Sequence, residues 1–172
     1  METVLILGGG QHGQIVAETI AHAGKFTVAG FADDDPAKVG TLVCGLPVLG
    51  AWRDRGEQNC FTAIGHNETR RRICDELVRQ GRRLVTVISP SAHVSPRATI
   101  GAGSVVLAGA VVQAGAVVGC GVIVNAGAVV DHDAVVGDFA HVGVNATVAS
   151  YGRVASGEWL APGGVRLQAS AT

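Results

Sequence analysis

The sequence predicts a two-part chain: an α/β, Rossmann-like N-terminal domain over residues 1–88, then a left-handed parallel β-helix over residues 89–172. Three observations predict it. Aliphatic residues recur at every sixth position from Val94 to Leu160 without a slip. Glycine supplies 25 of the 172 residues while aromatics make up 4% and hydrophobic residues 48%. Any core must then be built from Val, Ile, Leu and Ala between tight turns. Before Val94, short apolar runs alternate with helical spacing, the pattern of a parallel sheet covered by helices.

Taken in order, Thr3 to Leu7 reads as a buried strand. Gln14 to Ala23 reads as a helix with Ile15, Val16, Thr19 and Ile20 on its inner face. Phe26 to Phe31 is a second strand, stopped by Asp33-Asp34-Asp35-Pro36. Cys60 to Ile64 is a third. Asn67 to Gln80 is an Arg-rich amphipathic helix burying Ile73, Leu77 and Val78, and Leu84 to Ile88 closes the unit. Ser89-Pro90-Ser91 marks the boundary.

Beyond it the period is six. Four positions after most of the aliphatic residues sits a small one: Ala98, Ser104, Ala110, Ala116, Ala128, Ala134, Ala140 and Ala146. Each hexad supplies a short strand and a corner, three hexads close a triangular coil, and the aliphatic residues stack inside. Twelve hexads make about four coils. The repeat weakens at its end, where Glu158 replaces a small residue and Arg166 an aliphatic one, so it is expected to fade after Val154 and to end without a cap.

A formal net charge of −1, no basic stripe and few aromatics exclude a nucleic-acid binder. Cys44, Cys60, Cys74 and Cys120 lack the spacing of a metal finger and read as reduced thiols. No signal peptide and no run of membrane-spanning length is evident, so a cytoplasmic protein without membrane insertion is expected.

Two motifs carry chemistry. Gly8-x-Gly10-x-x-Gly13 follows a strand and opens a helix, with Asp33 twenty residues further on. Such glycines let the backbone approach a phosphate, and the helix N-terminus favours its charge. The domain is about half the length of a complete dinucleotide fold, so a smaller nucleotide such as UDP fits it better than NAD. Gly10, Gln11 and His12 then face the phosphate or sugar, and Asp33 and Asp34 can accept hydrogen bonds from it. A tight turn beside a solvated acidic loop is the plainer alternative. Asp131-His132-Asp133 is the second motif. Most hexads carry Gly, Ala or Gln at these places. An imidazole is suited to take a proton near neutral pH, and a flanking carboxylate can fix its tautomer. Either aspartate fits that role. A solvated polar corner is the alternative.

These features resemble the sugar acetyltransferases of the PglD/NeuD type. The resemblance rests on Leu7-Gly8-Gly9-Gly10-Gln11-His12-Gly13, on Gly30-Phe31-Ala32-Asp33-Asp34-Asp35 and on Ala63-Ile64-Gly65-His66-Asn67-Glu68-Thr69-Arg70. Its most specific part is Asn125 to Asp133, followed by Gly137-Asp138-Phe139-Ala140-His141-Val142. The resemblance implies an acyltransferase using acetyl-CoA as co-substrate, a UDP-linked 4-amino-4-deoxy sugar as acceptor, and a homotrimer with acetyl-CoA between neighbouring β-helices. It implies His132 as general base with Asp133 or Asp131 behind it. Gly65 then belongs to the nucleotide-facing loop, Asn125 orients the acetyl or acceptor group, and His141, Ser150 and Pro162 lie at the acetyl-CoA site. His141 comes nine residues after His132, one and a half hexads, so the two do not stack.

Three other readings compete. O-acetylation of sialic acid or another sugar is the nearest. A nucleotide-sugar-binding protein with an incomplete, inactive CoA site follows from the weakened C-terminal repeat. A zinc enzyme needs three converging histidines, and only His132 and His141 lie well inside the repeat, so no metal is expected. Cys120 stacks over Asp138 rather than His132, which argues against covalent catalysis.

Overall fold

The computed structural model describes residues 1–168. Its N-terminal part is a four-stranded parallel sheet of β1 (Glu2–Leu7), β2 (Phe26–Ala32), β5 (Asn59–Thr62) and β6 (Arg83–Leu84), in the order β2-β1-β5-β6. A small antiparallel hairpin, β3 (Leu42–Val43) and β4 (Leu46–Pro47), follows β2. Val4, Leu5, Ile6 and Leu7 are all buried, as a central strand covered on both faces requires. Helix α1 (Gln11–Ala23) starts three residues earlier than its apolar spacing predicts, because Gly10 caps it directly after the loop. Its buried stripe is Gly13, Val16, Ala17 and Ile20. Gly13 is required there: a Cβ would lie 2.0 Å from the Gly8 carbonyl oxygen.

Two apolar assignments are corrected. Ile15 is 47% exposed and Val78 57% exposed. Each lies off the stripe that faces the sheet. In α2 (Asn67–Arg79) that stripe is Arg70, Ile73, Cys74 and Leu77, the spacing i, i+3, i+4, i+7. The residue that completes it is an arginine.

From Val87 onward the chain forms a parallel β-helix of two-residue strands on three faces. The first face stacks Val87–Ile88, Val105–Val106, Ile123–Val124, His141–Val142 and Trp159–Leu160. The second starts at His93–Val94 and the third at Thr99–Ile100. Successive coils pair at eighteen-residue steps, Val112 on Val130 and Val130 on Val148. The sixfold aliphatic residues and the small residues between them form one dry column, with Val106, Val112, Val124, Ala128 and Val130 fully buried. Val87–Ile88 pair with Val105–Val106, so these residues open the β-helix rather than close the N-terminal unit, and the junction lies at Val85–Thr86.

The two parts share a core. Val105, Leu107 and Ile123 point out of the first face and are buried against Val4, Ile6, Ile20, Phe31 and Phe61. Arg70 locks the junction. Although only 1% exposed, it donates to the carbonyls of Gly121 (2.7 Å) and Phe139 (2.8 Å) in the β-helix, and to Ile64 O, Gly65 O and Asn67 Oδ1 on its own side. Burial draws its pKa down to about 10, still far above neutrality, so the guanidinium stays charged inside a cage of carbonyl dipoles.

The β-helix does not fade after Val154. Leu160 remains 8% exposed, and Val165–Arg166 pair with Thr147–Val148. Arg166 is tolerated in an aliphatic position because it is ion-paired with Glu158, whose other oxygen accepts the Ala155 N–H.

Candidate active site

Every sixth residue from Gly103 to Gly163 turns a corner with positive φ. Glycine fills these corner positions except at four consecutive places, Asp133, Phe139, Asn145 and Tyr151, with φ of 57°, 57°, 53° and 59°. The left-handed region is costly for residues with a Cβ, and such strain gathers at functional sites. This interruption of the glycine period is a signal the sequence carries for a candidate site. It coincides with the His132 segment.

His132 projects from the corner between the second and third faces. Its Nδ1 lies 3.0 Å from Asp133 Oδ2. Asp131 is placed differently: its Oδ1 accepts the backbone N–H of His132 at 2.7 Å and so shapes the turn. Of the two carboxylates left open by the sequence, only Asp133 meets the ring. Both side chains of the pair are 49% exposed, beside a shallow recess of about 320 Å³ bordered by Arg97, Ala114 and Gly115. Gly115 makes room for the pair, since a Cβ there would stand 2.3 Å from Asp133 Oδ1. With Nδ1–H donated to Asp133, the ring carries a free lone pair on Nε2.

His141 and Asn125 form a second group, on the first face and its following corner. They are neighbours because Ile123 pairs with His141 across one coil. The Asn125 amide nitrogen donates to His141 Nε2 at 3.1 Å, which puts the proton of the neutral ring on Nδ1. Burial, then the nearby charge of Arg70, then His12, push the His141 pKa down to about 4. His12 falls to about 4 as well, through burial and then Arg70. Its Nε2 is buried with no hydrogen-bond partner among the described residues. His12, His141 and Asn125 thus converge on the junction that Arg70 holds together, beside a groove of about 690 Å³ between α1 and the β-helix, lined by Ile15, Pro90, Leu107 and Asn125 among others. Sequence reasoning found His12, Asn125 and His141 separately but not their juxtaposition, and it missed Arg70. An arginine at the helix spacing of Ile73, Cys74 and Leu77 was the signal available.

The glycine loop has the expected form. Gly8 adopts φ 105°, and Gly10, exposed, caps α1 ahead of exposed Gln11. Asp33 secures this loop from within: its Oδ2 accepts the Gly9 N–H at 3.0 Å and meets Lys38 Nζ at 2.9 Å. Burial works to raise its pKa, but Lys38 and the N–H groups of Asp35 and Gly9 outweigh it and hold the carboxyl below its ordinary range. Asp34 is open to solvent, with Arg53 3.6 Å away. Gly65 is exposed, and its carbonyl accepts from Arg70. His66, in the same loop, caps α2 by accepting the Thr69 N–H, a structural role. Ser150 stands on the corner of His132 one coil away, and exposed Pro162 stands on the corner of Asn125 two coils on. Cys120 donates its backbone N–H to Asp138 Oδ1 at 2.8 Å. Among the described residues there is no group of three or more His, Cys, Asp or Glu side chains able to hold a metal ion. Among them, too, no helix is long and apolar enough to cross a membrane.

Residues 3–77 match the family described as the PglD N-terminal domain. Over 96% of its length the chain superposes on the acetyltransferase domain of PglB from Neisseria gonorrhoeae FA1090, with 33% identity and a TM-score of 0.81, covering 91% of that chain. The same domain has been crystallised in complex with acetyl coenzyme A. PerB from Caulobacter crescentus, in complex with CoA and GDP-perosamine, matches with 34% identity and a TM-score of 0.81, over 96% of this chain and 88% of that one. A search of curated proteins found no match. With a third of its residues shared along almost the whole of both chains, and with a PglD-type domain in front of the β-helix, the protein belongs to the family of acetyl-CoA-dependent sugar N-acetyltransferases.

Proposed function

We propose that this chain transfers the acetyl group of acetyl-CoA to the amino group of a nucleotide-linked amino sugar, with a UDP-linked 4-amino-4-deoxy sugar as acceptor and His132 as general base. The observation that carries the reading is the 3.0 Å contact between His132 Nδ1 and Asp133 Oδ2, which assigns the lone pair of the neutral ring to Nε2, on an open corner. The acceptor amine attacks the thioester carbonyl, a C–N bond forms, and Nε2 takes the amine proton. The tetrahedral adduct then collapses, the C–S bond breaks, and the proton passes to the departing CoA thiolate. Asp133 stabilises the imidazolium formed between the two steps.

The nucleotide is assigned to the Gly8–Gly13 loop, with Gly10, Gln11, Asp34 and Gly65 around it and the unpartnered Nε2 of His12 directed to a phosphate or sugar oxygen. Asp33 acts by holding the loop. His141, Asn125, Ser150 and Pro162 are assigned to acetyl-CoA or to the acetyl group. In one chain, His132 and the Asn125–His141 group sit on different corners of the prism, and this reading brings the second group to a His132 corner of a neighbouring copy. A homotrimer of parallel β-helices gives that arrangement, with one site at each of three junctions.

The relative crystallised with GDP-perosamine favours a specific second reading, in which the base is guanine. The test is release of free CoA thiol with a panel of UDP- and GDP-linked amino sugars, together with a sialic acid. Turnover with an amino sugar supports the proposal and the turning-over nucleotide fixes the base. Turnover only with the hydroxyl acceptor, or binding of nucleotide sugars without turnover, overturns it.

A further inference from the structure

Of the four residues that replace glycine at the left-handed corners, three have evident reasons to be there. Asp133 holds the imidazole, Phe139 is 8% exposed and gives its carbonyl to Arg70, and Asn145 is of a type that tolerates this conformation. Tyr151 has neither excuse. It is a bulky aromatic at φ 59°, and at 52% exposure it contributes little to any core.

Its contacts point to His132. Tyr151 stands one coil above Asp133 in the same column, and its N–H donates to the His132 carbonyl at 3.3 Å. Its ring meets the imidazole at 5.4 Å between centroids and 88° between planes, the edge-to-face arrangement that aromatic pairs favour. Asp133 fixes one ring nitrogen but leaves the imidazole free to swing out with its partner, since both side chains are half exposed. A ring standing at right angles against it removes that freedom.

We propose that Tyr151 is a positioning residue of the acetyl transfer, confining the His132 imidazole between its own ring and Asp133 so that Nε2 faces the acceptor amine. The proposal rests on the reading of His132 as general base. It adds a residue chosen for the orientation of that base at the expense of backbone comfort.

The test compares wild type, Tyr151→Phe and Tyr151→Asn, the last because asparagine keeps the left-handed corner and removes the ring. The ring-current shift of the His132 carbon-bound protons, assigned by their loss in His132→Ala, is expected in wild type and Tyr151→Phe and absent in Tyr151→Asn. In steady-state acetyl transfer Tyr151→Asn should lower kcat about five- to tenfold with KM for both substrates unchanged, and Tyr151→Phe should restore it. The thermal midpoint of Tyr151→Asn should equal or exceed that of wild type. An unaltered kcat, an unaltered His132 signal, a raised KM, a fallen thermal midpoint or failure of phenylalanine to rescue would each overturn the proposal. Failure of the underlying reading is distinguishable: His132→Ala would then retain full activity while the ring-current shift of wild type persisted.

Discussion

Replacing Arg70 by methionine keeps most of the side chain's length and removes every donor. Two β-helix carbonyls, Gly121 and Phe139, then lose their guanidinium partner in surroundings where that side chain is 1% exposed, while Ala140 O keeps the Ile123 N–H. Ile64 O, Gly65 O and Asn67 Oδ1 lie nearer the surface and can recover water. A buried acceptor left unsatisfied costs roughly 1–3 kcal/mol, so the two together imply about 4 kcal/mol, a large part of a typical domain's roughly 5–15 kcal/mol. With a urea m-value of about 2–3 kcal/mol per molar, the unfolding midpoint should fall by more than about 1 M. Arg70→Lys should recover only part of the loss, because one ammonium cannot reach both sides of the junction. Fluorescence of Trp52 in the N-terminal part and Trp159 in the β-helix, each isolated by replacing the other, would show whether both report the same transition. A midpoint within about 0.2 M of wild type, well inside that m-value range, would refute the view of Arg70 as the clasp between the two parts.

Acid should loosen the same junction. His12 and His141 are held near pKa 4 in the folded chain against an ordinary 6.5, so the unfolded chain binds more protons between these values. Their contribution is fully present above pH 6.5 and is lost as pH falls toward 4, at up to roughly 1.4 kcal/mol per pH unit for each ring. Chemical denaturation at stepped pH should show that slope, and His12→Asn with His141→Asn should flatten it. Gly115→Ala should displace Asp133, whose carboxylate it would meet at 2.3 Å, and lower kcat at least tenfold, the low end of what a misplaced general base costs. Asp133→Asn should lower kcat about tenfold or more while Asp131→Asn changes it far less; equal losses in steady-state assays would count against Asp133 as the orienting carboxylate.

The β-helix was legible in the sequence because its core obeys a strict period: Val112, Val130 and Val148 fall where the count of six puts them and are fully buried. Its last strands were harder to foresee, since Arg166 breaks the period and the Glu158 partner that compensates is a tertiary contact. The first three strands of the N-terminal sheet were legible to within one or two residues, but Leu84–Ile88 divides between β6 and the β-helix, and the β3–β4 hairpin left no clear period. Ile15 and Val78 misled because a helix's apolar residues do not all point the same way, and the phase is fixed by what it packs on. The junction was least legible. Val105 and Ile123 are outward-facing strand residues whose burial depends on residues such as Phe31 and Phe61, far away in the chain. For the site, His132 and its carboxylates stood out by composition, but the choice between Asp131 and Asp133 required the corner's geometry. Asn125 and His141 were each visible, yet their hydrogen bond follows from the eighteen-residue coil.

In the proposed reaction His132, oriented by Asp133, takes a proton from an acceptor amine. The most direct measurement is kcat/KM for acetyl transfer to the best amino-sugar nucleotide, in wild type and in His132→Ala proteins of equal thermal midpoint. The expected loss is about 100-fold or more, carried by kcat. Transfer by His132→Ala at the wild-type rate would contradict it.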